Sequence, residues 1–221
     1  SGDNNYDGAE LIGNFTVSPV DPVITENSPD IVYGDNEVIT ITVPDGASGK
    51  ITVTVTNSTG GIIVDGQELV IGVDQLLINI TKPNVDNYNI SIDYSGCANY
   101  TAKHIDGKFN VTKAANAITV KPINITYGQI ENITVVIPDG ASGKVRITVG
   151  TYTDEIEITS GDTEVVFHIP KAAGNNLLAV NNNYIVFANY SGDSNYESVE
   201  ANAPFHVVPA NTAVSVVVNN I

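Results

Sequence analysis

The sequence predicts an all-β chain folded as tandem antiparallel β-sandwiches arranged end to end, and three observations carry that prediction. The first is recurrence. Ser1-Gly2-Asp3-Asn4-Asn5-Tyr6, Ser95-Gly96-Cys97-Ala98-Asn99-Tyr100 and Ser191-Gly192-Asp193-Ser194-Asn195-Tyr196 share one S-G-x-x-N-Y frame, at spacings of 94 and 96 residues. The second is a longer match: Tyr33 to Val55 agrees with Tyr127 to Val149 at 14 of 23 positions, including an identical Pro-Asp-Gly-Ala-Ser-Gly-Lys at 44–50 and 138–144. Such a period is too long for a solenoid turn and suits a small autonomous domain. The third is period-2 alternation of β-branched residues between turn-forming Gly, Pro, Asn and Asp.

The strands follow in order. Residues 38–43, 50–55, 76–81 and 88–94 alternate clearly in the first copy. Residues 133–137, 145–149, 163–169 and 184–190 repeat them in the second. No window carries a helical stripe. Phe15-Thr16-Val17, Phe109-Asn110-Val111 and Phe205-His206-Val207 are equivalent and read as the last strand of each copy. Residues 1–19 then form the tail of a preceding repeat, 20–114 and 115–210 are two full repeats, and 211–221 open a following one. Linkers of two or three residues imply a stiff rod. The orphan terminal strands would lack partners.

Composition narrows the function. A net charge of −16 repels phosphates and excludes nucleic acid as a partner. No apolar run reaches the ~18–20 residues that cross a bilayer, so no membrane contact is expected within this segment. The absence of methionine marks an internal or processed segment. One cysteine, Cys97, forbids an intrachain disulfide, and the other two frames carry Asp at that place (Asp3, Asp193). The thiol is therefore incidental to the repeat.

Tyr88 and Tyr184 open alternating strands two residues before a core position, Ile90 and Val186. This resembles the tyrosine corner of immunoglobulin domains, with the ring buried and the hydroxyl bonded to backbone. Gly34 and Gly128, each after a tyrosine, shape the preceding turn. The two sandwiches are therefore expected to be immunoglobulin-like. Tyr190-Ser191-Gly192-Asp193-Ser194-Asn195-Tyr196-Glu197-Ser198 is similar to the ending of the bacterial Ig-like group 3 repeats. Residues 94–102 depart from it, with Cys97 for Asp and Ala102 for the final Ser. With its Tyr-Gly pair, the Pro-Asp-Gly-Ala-Ser-Gly-Lys run and abundant Asn and Thr, the chain most resembles repeats of adhesin-like surface proteins of methanogenic archaea. That resemblance implies an extracellular stalk or adhesive module, with binding often vested in a distal domain.

Candidate chemistry is sparse. His104, His168 and His206 occupy non-repeating places without metal or nucleophile spacing, and His168 reads as a core or edge residue. No triad, paired-acid or phosphate-loop pattern appears, so no catalytic residue and no enzyme is expected. Asp3, Asp7, Glu10, Asp21, Glu26, Asp30 and Asp35 crowd the first boundary, where calcium would be the one cofactor to consider. The second boundary (113–127) has no acid, which favours plain counterion screening and no cofactor. A Lys–Asn crosslink would need a buried lysine, but Lys50, Lys144, Lys82 and Lys171 all sit at strand ends. N-x-S/T sequons fall at Asn14, Asn57, Asn79, Asn89, Asn99, Asn110, Asn124, Asn132 and Asn189: nine, where about four would arise by chance.

The reading is a cell-surface, adhesin-like stalk of Ig-like repeats, glycosylated at its surface. Its partners are neighbouring repeats of the same chain and a cell-surface glycan or protein. The alternative gives binding to the modules themselves, through loops displayed once per repeat: Asp45, Ser48 and Lys50, then Asp139, Ser142 and Lys144. No Trp and only scattered Tyr offer an aromatic platform for that. An accessory domain of a secreted hydrolase would need catalytic sequence elsewhere.

Overall fold

A computed structural model describes residues 4–72, 75–169, 171–172, 175–176 and 178–217 of the 221. The first three residues of the leading S-G-x-x-N-Y frame, residues 218–221 of the last segment, and the side chains of Lys171 and Asn182 lie outside the described residues. Among those described there is no helix, and so none long and apolar enough to cross a membrane.

Strands β1 (Thr25–Asn27), β2 (Ile31–Val32), β3 (Glu37–Thr42), β4 (Lys50–Thr56), β5 (Ile62–Val70), β6 (Gln75–Ile80), β7 (Asp86–Tyr94) and β8 (Lys103–Thr112) form the first set. They make a three-stranded sheet, β1-β3-β6, and a five-stranded sheet, β2-β8-β7-β4-β5. Strands β9 (Thr119–Lys121), β10 (Ile125–Thr126), β11 (Glu131–Val136), β12 (Gly143–Val149), β13 (Tyr152–Ile158) and β14 (Glu164–Ile169) follow, then β15 (Lys171–Ala172), β16 (Asn175–Asn176), β17 (Asn181–Tyr190) and β18 (Val199–Val208). Their order repeats the plan: β9-β11-β14 in one sheet and β10-β18-β17-β12-β13 in the other, with β15 and β16 as a small hairpin. Two sheets of this connectivity, closed by inward-facing alternate residues, make an immunoglobulin-like sandwich.

By its contacts the chain separates into two compact units: Ser1–Ile31 with Asn36–Thr81 and Asp86–Asn110, and Val32–Asp35 with Lys82–Val85 and Val111–Ile221. Alternation explains each core. In the first unit Ile39 and Ile41 of β3, Ile51 and Val53 of β4, and Ile90 and Ile92 of β7 have 0–1 % exposure. In the second, Ile133, Val135, Val145, Ile147 and Val186 are fully buried. Each such side chain contributes roughly 1.5–3 kcal/mol. Tyr88 is buried and stacked on Phe109 at 4.7 Å, tying β7 to β8, and Tyr184 stacks on Phe205 at 5.3 Å, tying β17 to β18.

The strands expected from alternation are present to within a few residues. β5 and β13 were not read from the sequence, and the closing strands β8 and β18 reach well ahead of Phe109 and Phe205. No strand forms over residues 7–19, where Leu11, Phe15 and Val17 remain exposed, and none over 211–217. An isolated strand has no ladder partner to stabilise it.

Candidate functional site

The two recurring motifs meet. In the second unit the hydroxyl of Tyr190 donates to the Ser142 carbonyl at 2.8 Å, and that of Tyr196 to the Asp139 carbonyl at 2.9 Å. The amide of Lys144 donates to the Ser191 hydroxyl at 3.0 Å. The first unit repeats all three: Tyr94 to Ser48 at 2.9 Å, Tyr100 to Asp45 at 2.9 Å, and the Lys50 amide to Ser95 at 3.0 Å. The Pro-Asp-Gly-Ala-Ser-Gly-Lys loop is thus clasped by the S-G-x-x-N-Y turn beside it. Gly49 and Gly143 permit the approach. Both have φ near +100°, and a Cβ there would stand 2.8 Å from the carbonyl oxygen of Gly96 or Gly192. The candidate contact loops therefore spend their backbone carbonyls inward, and their lysines pair with neighbours, Lys50 with Glu68 at 2.9 Å and Lys144 with Glu155 at 2.8 Å.

Where the clasps differ, chemistry differs. Asp193 accepts the amides of Ser142, Asn195 and Tyr196, each at 2.8 Å, and the Ser142 hydroxyl at 3.1 Å. Burial raises its carboxyl, but these donors outweigh burial and hold it below the usual range. Cys97 takes that place in the first unit. The Tyr94 hydroxyl, with the backbone amides around it, lowers the thiol to about 6, while burial and the same thiol push Tyr94 up to about 12.

Sequence reasoning missed a second pair. Glu37 and Glu131, four residues after Tyr33 and Tyr127, are buried at 0 and 1 % exposure. Burial raises both carboxyls to about 7. The Ile123 amide donates to Glu131 Oε1 at 2.8 Å. The equivalent residue in the first copy is Pro29, which has no N–H, and both oxygens of Glu37 are left without a partner. The signal was parity: Glu37 shares the buried set of Ile39, Ile41 and Val43, and Glu131 that of Ile133, Val135 and Ile137.

The remaining candidates are scattered. Gly34 and Gly128 adopt φ of 101° and 98°, turning the chain into β3 and β11. None of the nine sequon asparagines is buried. Asn14, Asn79, Asn89, Asn99 and Asn124 are exposed. The amides of Asn110 and Asn189 donate to Asp30 and Glu200, and the side-chain oxygens of Asn57, Asn124 and Asn132 bond to Gly61, His206 and His168. His168 is an exposed residue of an edge strand. Of the acids near residue 20, Asp21 pairs with Lys103 at 2.6 Å and Asp30 accepts the Asn110 amide at 2.7 Å. Among the described residues no three His, Cys, Asp or Glu side chains are grouped to hold a metal ion.

One open face stands apart. On the outer side of β12, β17 and β18, Phe187 lies opposite Thr148 and Asn202, and Asn189 opposite Arg146 and Glu200. They line a cleft of about 460 Å³. Phe187 is 56 % exposed, an aromatic surface the sequence had not suggested.

No protein-family model matches the chain, and no curated protein matches it. Solved structures similar to it include the BSP domain of a biofilm-associated protein, at 16 % identity and a TM-score of 0.30, covering 86 % of this chain and 30 % of that one. The chain thus spans under a third of that protein's length. The titin domains Z1Z2, solved in complex with telethonin, match at 11 % identity and 0.44, covering 88 % of this chain and 100 % of theirs. A two-domain fibronectin type III segment of chicken tenascin matches at 14 % and 0.42, covering 85 % and 99 %.

Proposed function

We propose that this chain is a load-bearing stretch of a cell-surface, adhesin-like stalk, whose Ig-like modules hold a binding region of the same protein away from the cell. The observation that supports this most is parallel pairing between N-terminal segments of each sandwich and the turn or strand near its end. β10 runs parallel to β18, with Ile125 opposite Val207, and the Tyr127 amide donates to the Val208 carbonyl at 2.8 Å. Ala114 bridges Tyr196 in parallel, giving its amide to Asn195 and its carbonyl to Glu197, both at 3.0 Å. Val20 repeats this with Tyr100, and β2 lies beside β8 with Tyr33 donating to Thr112 at 2.9 Å. Tension between the ends of such a sandwich slides parallel neighbours past each other and loads their hydrogen bonds together. An antiparallel hairpin instead peels one bond at a time.

In this reading the modules do no chemistry and bind no cofactor. Exposed sequons such as Asn14, Asn79, Asn89 and Asn99 would carry surface glycans. The reading in which loops 44–50 and 138–144 bind a ligand has less support, because their carbonyls face the clasping tyrosines. Single-molecule force spectroscopy tests the proposal. Pulled through its ends, each unit is expected to unfold in its own step, at a force well above that needed when handles at Lys144 and Glu157 peel β12 from β13. Equal forces in the two geometries would remove the basis for a stalk.

A further inference from the structure

We propose that the open face of β12, β17 and β18 is a binding site for a neutral saccharide. Phe187 lies beneath a sugar ring, and the Arg146–Asn189–Glu200 row meets its hydroxyls. This goes beyond the load-bearing reading and does not depend on it.

The placement of Phe187 begins the case. Val186 and Ala188 point into the core at 0 and 2 % exposure, so strand alternation commits Phe187 to the outside. Ile185, on the same face, is 43 % exposed. The first copy has polar residues at both places, Asn89 and Ser91, and Thr52 where the second has Arg146. Its Asp93, His104 and Asp106 close on one another, with His104 2.7 and 3.2 Å from the two carboxylates. Fold maintenance thus does not demand a ring on this face, and the second copy carries one.

The surroundings of the ring select the ligand. Thr148, Phe187 and Asn202 form one row across three strands, and Arg146, Asn189 and Glu200 the next. With strands about 4.8 Å apart and successive outward residues about 6.8 Å apart, the six side chains cover roughly 10 by 7 Å, a footprint of one or two pyranose rings. The cleft volume, about 460 Å³, lies in the range of small-molecule sites, about 300–1,000 Å³. Donors and planar acceptors alternate over the second row. They are also held in place: Arg146 by Glu155 at 3.1 Å, and the Asn189 amide by Glu200 at 3.1 Å. Such preorganisation reduces the ordering cost of binding. The electronegative face of the ring suits the electropositive C–H face of a pyranose.

Charge excludes other occupants. In a chain of net charge −16, this patch is locally balanced, with Lys144 and Arg146 against Glu155 and Glu200. An acidic polymer would meet two carboxylates, and a basic one two cations. A second copy of the chain would need roughly 800 Å² per partner with apolar residues through the centre. Here the ring is bordered by charged and amide side chains.

The test uses the 221-residue chain, isotope-labelled and titrated with cellohexaose, mannohexaose and chitohexaose, with hexagalacturonic acid as the charged comparison. At least one neutral oligomer is expected to shift amide resonances of β12, β17 and β18 together. Phe187→Ser, which installs the residue of the first copy, should weaken that binding by about tenfold or more. Glu200→Gln, which keeps the shape, should weaken it without altering the melting temperature. Four results would each overturn the proposal: no shifts with any neutral oligomer, shifts confined to loops 44–50 and 138–144, binding of hexagalacturonic acid alone, or a sugar-independent dimer in sedimentation that Phe187→Ser abolishes.

Discussion

Asp193 accepts the Ser142 amide at 2.8 Å, and through that bond the two motifs that recur along the chain hold each other in place. One carboxylate serves both sides, because it also caps the amides of Asn195 and Tyr196 within its own turn. The two motifs repeat at one spacing because three further bonds between them are the same in both units.

Replacing Asp193 should therefore cost more than a surface change. Asp193→Ala leaves four donor contacts without their acceptor, and the second unit should lose about 2–4 kcal/mol. Cys97→Asp, which gives the first unit the carboxylate of the second, should raise the first unit's denaturant midpoint. Chemical denaturation followed separately for the two units reads both effects.

The glycines of the clasp should be less replaceable than those of the Tyr-Gly turns. At Gly143 a methyl group meets the Gly192 carbonyl oxygen at 2.8 Å as well as an unfavourable φ, whereas at Gly34, whose φ is equally positive, it meets nothing within 4 Å. Gly143→Ala is expected to cost about 3 kcal/mol or more, and Gly34→Ala about 1 kcal/mol. Equal melting temperatures for the two variants would contradict the close approach of the backbones.

The central strands were legible because they are buried on one face only, so β3, β4, β7, β11 and β12 alternate strictly. β5 was not, since most of Ile62–Val70 faces solvent and its apolar residues follow no parity. β13 was hidden by its acids, Asp154, Glu155 and Glu157, with only Ile158 buried. The motifs could be seen, but not their contact, because Tyr190 and Ser142 are 48 residues apart and meet only across the sandwich. The open face escaped for a different reason. Ile185-Val186-Phe187-Ala188 is apolar on both parities; a core Val186 turns Phe187 outward, but only the pairing register shows that Thr148 and Asn202 stand beside it.

Cys97 should react as a thiolate well below the ordinary thiol range. Its environment, led by the Tyr94 hydroxyl, lowers it to about 6. The alkylation rate by iodoacetamide should rise with a half-point near pH 6 in the folded chain, against about 8.5 for an unperturbed cysteine. Tyr94→Phe removes the hydroxyl beside the sulfur, whose one proton the Ser48 carbonyl also accepts, and should move the half-point upward. A native half-point near 8.5 would show that the hydroxyl proton stays with the Ser48 carbonyl and does not stabilise the thiolate.

Glu37 and Glu131 should make the modules more stable in mild acid than in mild base. Their folded carboxyls lie at about 7, against 4.5 for an unperturbed glutamate, and burial is the chief cause for both, with Glu26 and Asp30 adding to it at Glu37. Between those values the folded state keeps a proton that the unfolded chain has released. Stability therefore falls as pH rises, by about 1.4 kcal/mol per pH unit for each residue, and by up to about 3 kcal/mol for each across that window. Other groups must be separated from this trend. Asp86, Asp162, Asp193 and Glu155 are held below their usual range and lose stability only as pH falls through their lowered values. His104, raised chiefly by Asp93, weakens the first unit in the same direction as Glu37, while the lowered thiol of Cys97 acts oppositely. The difference between wild type and Glu37→Gln, or Glu131→Gln, cancels those contributions. Urea denaturation at pH 5, 6, 7 and 8 should show each glutamine variant gaining on wild type as pH rises, with Glu37→Gln gaining at least as much, since Pro29 gives Glu37 no amide to compensate its charge. Parallel curves for wild type and variant would mean that water or a cation reaches the carboxylates and keeps them ionised in the fold.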